Sequence, residues 1–530
     1  MTSPDSTYAK PFLTIPEQAR RLRERGMDCG TDAFAFSVLE RYGYYRLSGY
    51  WHLHRARPVP PHPQFDDDGR EIRLDSFVDG TTLAHVVSLY DFDHELRTRL
   101  SDVLSAIETA LRFFVGHRLG RADQFAHRKP ETLDAVREVE PPILTRVWDA
   151  IMKRSSPIRF EPTKTYHEWL QEYDRHEKRA RDVFVLHFRE KYGPHLPIWV
   201  ATEVMSFGVL SNLYTLMPQV DQEILAARFQ IHTADGHGDR GALANWLNNL
   251  RNVRNICAHY GRVWNRTFDV QINAAGQTRK DADNHLSRLA DDGVKNKLYG
   301  VLLILRHLLL SIGPDRTDVI DLADFISTES QRLQIRMHQL GFPDGWKSDP
   351  IWDPGFILDR APMLAASLLD RAPSLSTTDT RAALVGAEVK ASEVPRNPEQ
   401  EQRAKSAAQR KLLKDYRRYN VIVEIVVGET KYYPTFQFRD GKIIDALAEV
   451  NKTLSEKCVD AHPVDVASAL LDWWQTPHPD VPKDADGLSR SPLDLLNSVT
   501  EAEFTTAIAE ADCTSSFVVP APCPQDPVPE

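Results

Sequence analysis

The sequence predicts a mainly α protein, a large helical region followed by a smaller C-terminal α+β unit. From residue 10 to about 354, apolar side chains recur at three- and four-residue intervals, the mark of amphipathic helices. Short β-type runs appear only later, at 421–427 and 432–438. The chain has 530 residues, well beyond the roughly 100–200 of one domain. With 42% hydrophobic and 26% charged residues, its composition is that of an ordinary water-soluble protein. The formal charge of −10 excludes a uniformly basic surface but leaves room for a local basic site. Much of that acidity sits at the end, where residues 481–530 hold nine acids and two bases.

The clearest helix is marked by Leu83, Val86, Leu89, Phe92, Leu96, Leu100, Leu104, Ile107 and Leu111. Loops are expected at 58–63, 66–70, 235–239 and 313–315, where proline, glycine and aspartate cluster. The longest apolar stretch, 300–313, is interrupted by Arg306 and His307; it is also shorter than the about 20 residues a membrane span needs. Residues 356–417 read as a Ser/Thr/Ala-rich linker followed by a basic helix at 402–419, with seven bases and two acids across 401–420. Such charge runs are usually solvated faces. The β runs suit a hairpin around 428–431, with Pro434 placing the second strand on an edge. Helical spacing resumes at 443–454, 463–474, 492–497 and 501–509. The expected domains are therefore 1–355, 356–417 as linker and basic helix, 418–512, and a disordered acidic, proline-rich tail at 513–530.

Cys29, Cys257, Cys458, Cys513 and Cys523 are scattered and form no Cys-x-x-Cys pair, so they read as free thiols in a reducing compartment. The first residues lack a basic-then-apolar signal pattern. A cytoplasmic location without a membrane partner is expected.

The segment 246–261 carries the most unusual polar pattern. At about 100° per residue, Asn248, Asn252, Asn255, His259 and Arg262 step down one side of a helix, flanked by Arg251 and Arg254. Between Gly241 and Phe268 there are four arginines and no acid. Asparagine costs about 0.5 kcal/mol per helical position relative to alanine, which function or buried hydrogen bonding would explain. Nearby, Tyr44, Tyr45, Arg46, Tyr50 and Trp51 read as core packing, and Glu108 with Arg112 as a helical ion pair. His52, His54 and His62 lack the carboxylate or thiolate partners of a metal site. No metal ligand set and no cofactor are expected.

Arg254-Asn255-Ile-Cys-Ala-His259 is an Arg-x4-His pattern that resembles the ribonuclease motif of HEPN-domain proteins. Lys10-Pro-Phe-Leu-Thr-Ile15, Tyr44-Tyr-Arg-Leu-Ser-Gly-Tyr-Trp51, Leu89-Tyr-Asp-Phe-Asp93, Leu196-Pro-Ile-Trp199, Ser206-Phe-Gly208 and Gly341-Phe-Pro343 look like the abortive-infection (Abi) family of AbiD/AbiF type, over about residues 10–352. The resemblance implies a HEPN-type helical domain. It also implies a homodimer with a composite site and a metal-independent endoribonuclease, working in anti-phage abortive infection or as a toxin. Arg254, His259 and Asn255 would be catalytic. Arg251, Asn252 and Arg262 would bind RNA. Its other implication is an RNA-binding scaffold that holds a small noncoding RNA and cleaves little.

Tyr433-Pro-Thr-Phe-Gln-Phe438, Val466-Ala-Ser-Ala-Leu-Leu-Asp-Trp-Trp474 and Ser491-Pro-Leu-Asp-Leu-Leu496 resemble the toxin-binding domain of Xre/MbcA/ParS-type antitoxins, over about 418–512. That resemblance implies a regulatory unit. On physical grounds Trp473 and Trp474 read either as an anchor for a protein partner or, for at least one of them, as packing inside the unit.

Overall fold

The computed structural model describes residues 12–59, 64–66, 71–139, 159–281, 284–313, 315–384, 398–427, 429–458, 461–478, 481–484, 486–510 and 517–520. Lys10, His62, Gly428, Cys513, Cys523, parts of the loops expected at 58–63 and 66–70, and most of the expected tail lie outside the described residues. Among the described residues are twenty α-helices and seven short strands, a mainly α architecture with a smaller α+β C-terminal region.

The helical region opens with α1 (Ile15–Glu24), α2 (Asp32–Tyr42) and α3 (Tyr44–Trp51). Its spine is α4 (Leu83–Gly120), capped by Thr82, whose side chain accepts from the His85 N–H. All nine apolar positions named above are buried. An antiparallel pair, β1 (Val136–Val139) and β2 (Arg159–Pro162), precedes α5 (Lys164–Arg179), α6 (Val183–Tyr192), α7 (Ile198–Val204) and α8 (Phe207–Leu216). Then come α9 (Gln219–Arg228), α10 (Arg240–Ala258), α11 (Gly276–Lys280), α12 (Leu298–Ile312) and α13 (Asp318–Arg332). Helices α3, α7, α8, α10, α12 and α13 all pack on α4. At Gly116 a Cβ would lie 3.0 Å from Thr202 Oγ1 and 3.3 Å from Trp199 Cα, so glycine is what lets α7 come this close.

Helix α12 is buried on nearly every face, which explains its continuous apolar run. Its two polar interruptions are satisfied inside the protein. Arg306 donates to the carbonyls of Ile351 (3.2 Å) and Arg316 (2.5 Å). His307 bridges the Phe229 carbonyl (2.7 Å) and His285 (3.0 Å).

The segment expected as a linker carries packed structure: α14 (Arg360–Arg371), β3 (Ser374–Ser376) and α15 (Thr377–Ala383), followed by α16 (Pro398–Arg418). Ala365, Ala366, Leu368 and Leu369 of α14 are buried in the same apolar cluster as Trp474. Ile224 and Ala227 of α9 enter that cluster too, so α14 joins the two regions. Arg118 pairs with Asp221 (2.6 Å) and Asp370 (3.3 Å), Arg228 with Asp370 (3.5 Å), and Arg121 donates to the Leu369 carbonyl.

The hairpin forms as β4 (Ile425–Val427) and β5 (Thr430–Pro434), but β5 is not an edge. Strand β3 pairs with its other side, giving the order β3-β5-β4. Pro434 is tolerated because Ser374↔Pro434 lies one step from Pro373 and Thr435, whose N–H donates to the Pro373 carbonyl at 2.8 Å. By antiparallel alternation, the Pro434 nitrogen then faces away from β3, beyond the last β4 pair at Tyr432. Strands β6 (Phe438–Arg439) and β7 (Lys442–Ile443) lead to α17 (Asp445–Ser455), α18 (Pro463–Gln475), α19 (Pro492–Ser498) and α20 (Glu501–Glu510), close to the expected spans. Of the two readings of Trp473 and Trp474, packing holds for both: each is buried, and the Trp474 indole N–H donates to Asn451 Oδ1 at 2.9 Å. Phe517, in the expected disordered tail, is buried against the same unit.

Candidate active site at the end of helix α10

Helix α10 is fixed from its N-terminus by Asp239, whose carboxylate accepts from the Ala242 N–H at 2.9 Å. Its asparagines divide into two sets. Asn245 and Asn249 hold the chain that follows, donating to the carbonyls of Gln271 (3.0 Å) and Val270 (2.6 Å). Asn248, Asn252 and Asn255 form the other set, and only Asn255 of the three is exposed. Asn248 accepts from Arg251 at 2.5 Å, and Arg251 also reaches Asn212 at 3.5 Å. Asn252 is half-buried with its Oδ1 unpartnered, and Asn255 is exposed.

The polar stripe does not continue as a helix to Arg262, because α10 ends at Ala258 with His259 as its C-cap. Tyr260 then takes φ +56°, a left-handed conformation that is uncommon for a non-glycine residue. The Gly261 N–H closes the turn on the Ile256 carbonyl at 2.8 Å, a Schellman arrangement. The consequence is an exposed His259 just past the helix end.

The neighbouring helices clamp this turn. Asp93 of α4 is wholly buried and accepts from the N–H groups of Val263 (3.1 Å) and Trp264 (2.6 Å), from the Tyr50 hydroxyl (2.6 Å) and from Arg97. Burial and the adjacent Asp93 push the Tyr50 phenol well above its ordinary range, so it stays a donor. From α3, Arg46 donates to the Tyr260 carbonyl at 3.2 Å. Arg262 donates to the Gly49 carbonyl and lies 5.9 Å from the Trp264 ring, so its guanidinium is turned toward its own chain. Cys257, beneath the turn, has its thiol pushed up to about 11 by burial and is held neutral.

Arg254 projects from the last turns of α10 with its side chain 40% exposed. Its Nε lies 3.9 Å from Glu108 Oε2, and Glu108 Oε1 accepts from Arg112 at 2.7 Å. Arg112 also donates to the Met205 carbonyl at 3.1 Å. The expected Glu108–Arg112 ion pair is present, and it extends to Arg254. The structure thus gathers Arg254, Asn255 and His259 at one end of α10, places Arg251 and Asn252 on the preceding turns, and turns Arg262 inward.

Arg97 was not singled out in the sequence, and Arg46 and Asp93 were named there without their role in holding this turn. The available signal was an Asp–Arg pair at i, i+4 within the apolar stripe of α4, which is costly unless the charges meet inside the core.

No helix among the described residues is long and apolar enough to cross a membrane. No curated protein and no solved structure gives a significant match to the chain. Residues 37–265, which carry Arg46, Asp93, Glu108, Arg254 and His259, match the family model for Abi-like proteins, and the match supports an Abi relationship for this region.

Proposed function

We propose that the chain is a metal-independent endoribonuclease of the HEPN type serving abortive infection. The observation that carries this reading is the exposed pair at the end of α10, Arg254 backed by the buried Glu108 and His259 presented by the Tyr260 turn. In the proposed reaction a ribose 2′-hydroxyl attacks the adjacent phosphorus and the bond to the 5′-oxygen breaks, leaving a 2′,3′-cyclic phosphate and a 5′-hydroxyl. His259 moves the proton as general base or acid. Arg254 stabilises the charge that builds on the phosphoryl oxygens. Asn255 orients the phosphate or imidazole, and Arg251 and Asn252 line the approach for RNA. A second copy of the chain, facing the first through this end of α10, completes the site. The C-terminal unit regulates the nuclease.

The test compares wild type with His259→Ala and Arg254→Ala on total RNA, scoring cleavage and 2′,3′-cyclic phosphate ends. Each substitution is expected to lower cleavage by about 10²- to 10⁴-fold without altering the thermal unfolding temperature. Undiminished cleavage in His259→Ala would overturn the mechanism. A copurifying small RNA that the wild type leaves uncleaved would instead identify a scaffold.

A further inference from the structure

Helix α16 has two faces of opposite character. Its inner face carries Gln409, Leu412, Leu413 and Tyr416; Leu413 is buried with Leu384, Ile422, Tyr433 and Ile443, and Gln409 donates to the Leu384 carbonyl at 2.9 Å. At about 100° per residue, Arg403, Arg410, Lys411, Lys414, Arg417 and Arg418 all fall within an arc of about 120° on the opposite side. All six are exposed. They run along about 22 Å of helix, and Asp415 lies outside their arc.

Exposed cations on a solvated helix are ordinarily balanced by acids one turn away. Here Arg417 is paired with Glu424 at 2.5 Å, but Arg410, Lys411, Lys414 and Arg418 make no ion pair among the described residues. Arg410 bonds only to the Ser406 carbonyl one turn back (3.2 Å). The guanidinium of Arg418 lies 5.8 Å from the ring of Tyr419, which is itself 58% exposed. Asp415 is the nearby acid, one turn after Lys411. In a chain of net charge −10, four cations on one face that make no ion pair among the described residues end in an exposed aromatic ring and form a surface complementary to a polyanion with stackable bases.

We propose that the outer face of α16 binds the sugar–phosphate backbone of single-stranded RNA, at a place separate from the α10 site. An anionic membrane fits less well, because the apolar face that would enter the lipid is already packed in the protein core. The choice of RNA over DNA rests on the function proposed above; the surface does not. The stripe supplies affinity that tracks the backbone without reading sequence, so a substrate engaged there is held while the α10 site acts on another part of it.

The test uses full-length protein carrying His259→Ala, so that bound RNA is not consumed, with and without the combined substitutions Arg410→Gln, Lys411→Gln, Lys414→Gln and Arg418→Gln. Binding of a labelled unstructured RNA oligonucleotide is measured across a salt series. The expected result is weaker binding, with the slope of log K against log salt reduced by about two to three, since each phosphate contact on a single strand contributes about 0.7. If the fourfold variant unfolds at a lower temperature, Lys414→Gln alone is read the same way, with an expected slope change of about 0.7. Arg410→Lys with Arg418→Lys keeps the charge and should keep binding. Unchanged affinity and slope would overturn the proposal. Loss of binding to phosphatidylserine vesicles with RNA binding intact would overturn it in favour of a lipid surface. Because cleavage is not the readout, failure here leaves the α10 mechanism standing, and failure of that mechanism leaves this surface standing.

Discussion

The turn after α10 and the seam between α9 and α14 are both held by arginine–aspartate networks, yet they join different things. At the turn, Asp93 accepts from two backbone N–H groups as well as from Arg97 and Tyr50, so the carboxylate fixes main chain within one region. At the seam, the partners of Asp370 among the described residues are the side chains of Arg118 and Arg228, which come from a different region. The first is a fixture whose loss deforms the chain carrying His259. The second ties side chain to side chain between two regions, beside the apolar contacts that Ile224 and Ala227 make with α14. Buried charge alone thus does not reveal a role; what the carboxylate holds does.

The largest effect is expected at the turn. Asp93→Ala leaves Arg97 buried without its partner and should cost about 3–5 kcal/mol, read as a lower denaturation midpoint. Asp93→Asn keeps an acceptor for the two N–H groups and should lose less. At the seam, Asp370→Ala should cost about 1–3 kcal/mol. It should also loosen α14, so that limited proteolysis cuts within 354–373 faster while the helical region stays intact. If the seam variant instead unfolds the whole chain in one step, the two regions are a single cooperative unit and the contrast fails.

A third effect, comparable at pH 5.5 to that at the seam, is set by pH. His127 and His307 lie wholly buried in the helical region, and burial lowers each to about 3. Near pH 7.5 they are neutral in both folded and unfolded chains. As pH falls below about 6.5 the unfolded chain takes up protons that the folded one refuses, so stability drops by up to about 1.4 kcal/mol per pH unit for each histidine until pH nears 3. Thermal scans at pH 7.5 and 5.5 should therefore show the helical region destabilised by acid, in contrast to a transition of the C-terminal unit that moves less.

The spine of this protein was legible because α4 buries a stripe with regular spacing, and three of the C-terminal helices because α18 and α19 begin at a proline and α20 at the Thr500 cap. Elements α14 and β3 were hidden by composition. Their small and hydroxylic residues read as a linker, and the sheet and helix partners that bury them lie mostly about sixty or more positions away. The candidate site was legible in residue type and spacing, as Arg254 and His259 show, but not in shape. Nothing local announces that α10 stops at Ala258, since the left-handed position falls on Tyr260 and the glycine follows one residue later. Asp93 and Arg97 sit between apolar positions of a helix that is packed on several sides, so residues that would face water on a simpler helix lie inside.

Because β3 enters the sheet from before α15, the C-terminal unit has no clean beginning at residue 418. Severing the chain there would strip β5 of a neighbour and leave Tyr433, now wholly buried, beside a row of open backbone donors and acceptors. Such an edge recruits other strands and seeds aggregation. The natural unit of inheritance and exchange is therefore the stretch that starts ahead of α14, and any shuffling of this module between proteins has to carry its apparent linker with it.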